Sequence, residues 1–168
     1  MSSTDRPDGP SHDGRALIDL TGDGVAAPDL GQLRPAPIEL TNSASMLSRA
    51  CEWMRYFAFS DAVVSVGPEP FINSSRGLAM VETSSRVVGR RMIEEFDLVR
   101  SRAGKYGIYF ALVGFNAKAV KAATSAGIAL FRLDNNGQVA GVGDFGRRLL
   151  AGSDRRHVAR ATGHRADV

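Results

Sequence analysis

The stretch from Tyr106 to Asp134, YGIYFALVGFNAKAVKAATSAGIALFRLD, constrains this chain more than any other. Gly107-Ile108-Tyr109-Phe110-Ala111-Leu112-Val113 is a near-continuous apolar run rich in β-formers, as expected of a strand buried on both faces, and Ile128-Ala129-Leu130-Phe131 repeats it. Between them Ala119, Val120 and Ala123 recur at helical spacing, with Asn116 suited to cap the helix start and Gly127 to end it. The unit reads as strand, helix, strand, with the two strands parallel. A helical crossover of this kind commits the chain to an α/β fold.

Upstream, Thr41 or Asn42 can cap a first helix whose Leu47, Ala50, Cys51, Met54 and Phe57 fall on one face. Trp53 beside that stripe reads as a packing residue. Phe59 to Val66 reads as a strand, Phe71-Ile72-Asn73 as a second, and Leu78 to Thr83 as a third, together a meander. Helical spacing returns from Val88 to Ala103, with Val88, Met92, Phe96 and Val99 on one stripe. After the crossover unit, Asn135-Asn136-Gly137 signals a turn, Gln138 to Val142 an edge strand, and Gly143 to Leu150 a short helix.

Charge divides the chain further. Residues 1–40 carry seven acidic and three basic side chains, whereas residues 147–168 carry six arginines and two aspartates. Sparse apolar content at both ends gives the expectation of a disordered acidic segment over 1–40, one domain over 41–152 and a mobile basic tail over 153–168. At 168 residues and 43% hydrophobic content, one modest core is the expectation. The single Cys51 excludes an intramolecular disulfide and reads as a small buried hydrophobe. No run approaches the length of a membrane span or a signal-peptide apolar core, so the expected setting is the cytoplasm, away from any membrane. His12, His157 and His164 all fall in the terminal segments, so no nucleophile–base pair is visible.

Read in order, Glu52-Trp53-Met54-Arg55, Phe59-Ser60-Asp61-Ala62, Val88-Gly89-Arg90, Val113-Gly114-Phe115-Asn116 and Ala129-Leu130-Phe131 make residues 46–150 resemble the Mrr-like restriction endonucleases, especially their small actinobacterial versions. The resemblance implies a restriction-endonuclease-like α/β sandwich with a central mixed sheet, acting on double-stranded DNA. It also implies an Asp on the second strand, and a Glu or Gln followed two residues on by Lys on the third. The carboxylates there hold Mg²⁺ and the Lys orients water and stabilises charge.

In this chain those positions fall on Asn73, Met80 and Glu82, all three of which depart from the pattern. The expectation is therefore a DNA-binding pseudo-nuclease that needs no metal. Arg86, Arg90, Arg91, Arg155, Arg156 and Arg160 are its phosphate-contacting candidates. Two alternatives stand beside it. One is a Mg²⁺-dependent endonuclease using a rearranged set of Glu52, Asp61, Glu69 and Glu82. The other is an interaction module that pairs with itself as a homodimer, or with an active relative, through a sheet edge or the first helix.

Overall fold

The computed structural model describes residues 33–65 and 67–162. The expected disorder of the acidic segment falls largely on residues 1–32, outside the described part, as do His12 and His164. Helix α1 (Ser43–Tyr56) is followed by strands β1 (Val63–Val64), β2 (Phe71–Asn73) and β3 (Gly77–Glu82), then helix α2 (Arg90–Arg102) and strand β4 (Tyr106–Ala111). Helix α3 (Ala117–Ala126), strands β5 (Ala129–Leu133) and β6 (Val139–Val142), and helix α4 (Gly143–Ala161) complete it.

The six strands form one mixed sheet in sequence order, β1-β2-β3-β4-β5-β6. β1, β2 and β3 run antiparallel, α2 and α3 carry the parallel crossovers β3–β4 and β4–β5, and β6 returns antiparallel. Side-chain alternation makes two cores from one sheet. Ile72, Ala79, Val81, Ile108, Phe110, Ala129, Phe131 and Leu133 pack against α1, with Phe145, Leu149 and Leu150 of α4 on the same side. Leu78, Tyr109, Ala111 and Leu130 pack on the other side, against Ile93 and Phe96 of α2 and Ala119 and Ala123 of α3. The protein is an α/β sandwich, two helices on each face of a mixed sheet.

The crossover unit forms as its residues dictate. Asn116 Oδ1 accepts from the Ala119 backbone N–H at 2.8 Å, and Gly127 ends α3 with φ of 71°, a left-handed conformation that glycine adopts without a Cβ clash. Asn42 starts α1 in the same way, accepting from Ser45 N while Ser45 Oγ accepts from Asn42 N, a reciprocal capping box.

Three expectations change. Phe59 to Val66 is a strand only at Val63–Val64, and Val66 lies outside the described residues. The reason lies in how α1 ends: Phe59 N donates to Met54 O and Ala58 N to Arg55 O, the pair of bonds of a Schellman motif, with Ala58 at φ 76°. Arg55 and Cys51 then hold Ala62 O, so residues 59–62 turn along the helix and reach the sheet late. Second, α2 buries Ile93 and Phe96, while Val99 is exposed. Val88 is still extended there, its N–H donating to Gly114 O and its carbonyl accepting from Asn116 N, and the helix starts two residues later. Third, the last helix does not stop at Leu150. It continues to Ala161 because its second half has partners on α1, described below.

Candidate functional site: the β2–β3 cleft and the arginine surfaces

Metal-dependent phosphodiester cleavage on two adjacent strands needs side chains that converge across the ladder. The register decides whether they do. Asn73 stands opposite Leu78, whereas the residue opposite Met80 is Phe71. Four residues of strand separate Leu78 from Glu82, so Asn73 and Glu82 lie about 13 Å apart along the sheet. Asn73 Oδ1 accepts from Lys105 Nζ at 2.5 Å, and the same ammonium reaches Ser74 O at 2.6 Å, which spends both groups on closing the β2–β3 hairpin.

The rearranged carboxylates do not converge either. Glu52 lies on α1 and accepts from Arg49 at 2.7 Å, on the opposite face of the sheet from Glu82. Asp61 accepts from the Ser75 backbone N–H at 2.7 Å at the hairpin turn, and that hydrogen bonding holds its carboxyl below the ordinary range. Glu69 and Glu82 share the far end of the hairpin. Among the described residues no group of three or more His, Cys, Asp or Glu side chains is arranged to hold a metal ion. The donor set implied by the resemblance thus does not fit Mg²⁺.

At that far end lies an open cleft of about 710 Å³ between β2–β3 and α2. Its floor includes Phe71, Met80, Met92, Phe96 and Tyr109, and Glu69, Glu82, Glu95, Arg86 and Arg91 stand around it. Tyr109 is 2% exposed, and its hydroxyl has no hydrogen-bond partner among the described residues. Burial first, and then the Glu82 carboxylate, raise its pKa well above the ordinary value. Glu82 keeps its own side chain only 11% exposed, accepting from Ser84 N at 2.9 Å and reaching Arg86 at a stretched 3.5 Å.

Sequence reasoning assigned Tyr109, Met92 and Glu95 no functional role. Tyr109 carries the one usable signal, a hydroxyl inside a buried apolar strand that must find either a partner or an opening.

The six arginines proposed for phosphate contact fall on two different faces. Arg90 pairs with Glu94 at 2.6 Å and Arg91 with Glu95 at 2.8 Å, each one helical turn on, and Arg86 leans toward Glu82. These three lie on the α2 side. Arg155, Arg156 and Arg160 lie on α4, on the α1 side, and all three are exposed. Arg156 donates to Ser153 Oγ at 2.9 Å, and none of the three meets a carboxylate among the described residues.

What holds those arginines in place is a polar clasp. Asp154 Oδ1 accepts from Tyr56 Oη at 2.5 Å and from Arg34 at 2.8 Å, and the His157 ring stacks on Tyr56 at 4.2 Å between centroids. Arg34 also lies over the Trp53 ring, and Trp53 Nε1 donates to Gly137 O at 2.9 Å. Cys51 is buried at 3.2 Å from Ala62 O, its pKa pushed up chiefly by burial, as suits a packing residue.

Comparison of the chain with known protein families, with curated proteins and with solved structures finds no match. No helix among the described residues is long and apolar enough to cross a membrane.

Proposed function

We propose that this protein is a DNA-binding pseudo-nuclease of the Mrr-like kind, holding duplex DNA through its phosphate backbone without cleaving it. The observation that carries the reading is the second half of α4, where Arg155, Arg156 and Arg160 stand exposed without a carboxylate partner among the described residues. The whole helix holds five arginines against two aspartates. A rigid helix presents such charges to a phosphate run with less entropy to lose than a mobile tail would. Arg90 and Arg91, neutralised by Glu94 and Glu95, and Arg86, which leans toward Glu82, make the weaker half of the six.

The loss of cleavage rests on the register. A carboxylate able to share a metal with residues 80 and 82 has to stand opposite Met80, and Phe71 occupies that position. Restoring Asp at Asn73 therefore leaves the pair about 7 Å or more out of register along the strand.

The test is duplex DNA affinity measured as a function of salt. Neutralising Arg155, Arg156 or Arg160 is expected to weaken binding uniformly across sequences and to lower the slope of log K against log salt by about 0.9 each. Supercoiled plasmid should stay intact with Mg²⁺ or Mn²⁺. Salt-independent binding, or no binding at low salt, sinks the DNA reading, and metal-dependent cleavage sinks the pseudo-nuclease part.

A second reading is favoured by β1, an edge strand whose Val63 and Val64 are 54% and 37% exposed. An unpaired apolar edge suits pairing with a second copy or an active relative. A doubled mass in light scattering that is indifferent to DNA, and is lost on Val63→Lys, favours the interaction module over the DNA reading.

A further inference from the structure

The cleft between β2–β3 and α2 holds two polar groups whose bonding among the described residues is incomplete. Glu82 has nearly all of its side chain withdrawn from water; Ser84 N donates to it at 2.9 Å, but its one cationic partner among the described residues is Arg86 at 3.5 Å, itself 73% exposed. A carboxylate withdrawn from water is costly unless a close cation balances its charge, and a single neutral N–H does so only in part. Tyr109, 2% exposed, lines the same cleft, and its hydroxyl has no hydrogen-bond partner among the described residues. The remaining charges reinforce the sign. Glu69 and Glu95 stand around the cleft with Glu82, while Arg91 is 90% exposed and already bound to Glu95. Glu82 is thus the one of these charges withdrawn from water, and it acts at a lower dielectric than the exposed Glu69, Glu95, Arg86 and Arg91.

The size and lining of the space narrow the ligand. The carboxylates are too dispersed to form a metal site among the described residues, so a bare divalent ion has no cage. Phe71, Met80, Met92 and Phe96 supply an apolar floor, two of them methionines that adapt their shape to what packs against them. A volume of about 710 Å³ fits a drug-sized molecule.

We propose that this cleft binds an organic cation: a primary ammonium attached to an apolar or aromatic body, its N–H groups donating to the Glu82 carboxylate and the Tyr109 hydroxyl. The body lies across Phe71, Met80 and Met92. The ammonium adds a close cation to the Ser84 N–H that Glu82 already accepts, where Arg86 stands at 3.5 Å, and Tyr109 gains a partner. This site lies across the sheet from Arg155, Arg156 and Arg160, so it stands or falls independently of DNA binding.

The full chain, with its methionine methyls labelled, is titrated with phenylbutylammonium and, separately, with phenylbutyrate and phenylbutanol. Phenylbutylammonium is expected to shift the Met80 and Met92 signals in a saturable way, while the carboxylate and the alcohol bind at least about tenfold more weakly. Loss of a charge-assisted hydrogen bond in Glu82→Gln should weaken the ammonium about tenfold or more, and Tyr109→Phe by roughly threefold to tenfold. Glu69→Gln, at an exposed rim position, covers the case in which Glu82→Gln does not fold, and should weaken binding by a smaller factor. Equal affinity for phenylbutyrate or phenylbutanol overturns the proposal. So do the absence of any shift at millimolar ligand and unchanged ammonium affinity in folded Glu82→Gln or, if that variant does not fold, in both Tyr109→Phe and Glu69→Gln.

Discussion

Tyr56 and Tyr109 are each 2% exposed, yet one hydroxyl is tied to Asp154 and the other faces an open cleft without a partner among the described residues. The two faces of the sheet follow the same division. On the α1/α4 side, Trp53, Tyr56, Phe57, Phe110 and Phe131 stack into one aromatic cluster, and the polar groups among them are bonded. On the α2/α3 side α3 meets the sheet through Ala119 and Ala123 and α2 through Ile93 and Phe96, and the β2–β3 end stays open. The closed side has spent its polar groups on its own structure. The open side keeps the Tyr109 hydroxyl, and a Glu82 carboxylate only loosely paired with Arg86, facing its cleft, which is where recognition is to be sought.

The largest expected break in this comparison comes from deleting residues 154–168. The deletion removes the Tyr56–Asp154 hydrogen bond and the stack of His157 on Tyr56, for a combined loss of about 2–4 kcal/mol. A clear fall in the thermal midpoint is expected, and an unchanged midpoint would mean that the clasp contributes nothing.

Next in size is a matched pair, Tyr56→Phe and Tyr109→Phe, compared by denaturant unfolding. The first leaves Asp154 without its short donor and should cost about 1.5–3 kcal/mol, whereas the second should stay within roughly 0.5 kcal/mol. Equal losses would erase the distinction between the two sides.

Alkaline pH sharpens the same pair. Burial, and then the hydrogen bond to Asp154, raise Tyr56 from 10.0 to about 12, so the folded state holds its proton where the unfolded chain has released it. Stability is therefore full below pH 10 and falls as pH rises toward 12. Tyr109 and Tyr106 are also raised by burial and contribute in the same direction. Tyr56→Phe should flatten the slope of stability between pH 10 and 12.

The smallest effect is a gain. Ala58 holds φ of 76° at the end of α1, where its Cβ is strained, and Ala58→Gly should stabilise by up to about 1 kcal/mol. A loss on that substitution would show the position to be relaxed.

Much of the fold was legible because local signals agreed with global ones. Asn42, Asn116, Gly127 and Asn135-Asn136-Gly137 each sit at the boundary their chemistry specifies. The late start of β1 was not, since an alanine ends the Schellman turn where a glycine would have announced it. The length of α4 was hidden for a different reason. Its second half has few apolar residues, and what orders it is Asp154 and His157 meeting Tyr56 nearly a hundred residues earlier, a contact that no local pattern encodes. The candidate site suffered likewise: the resemblance implied that Asn73, Met80 and Glu82 share one site, and only the hairpin register sets Phe71 opposite Met80.

The order of the strands carries a consequence for how the chain assembles. Because every strand pairs with its neighbour in the sequence, the sheet grows by closing local connections, two of them holding a helix, and each closure costs less chain entropy than a contact between distant segments. The clasp is different, for Arg34 and Asp154 close 120 residues at once. It can form only after the sheet has brought its two ends within reach. Disrupting it should therefore steepen loss of the native state without slowing its formation, so the clasp governs how long the molecule stays folded and the hairpins govern how fast it gets there.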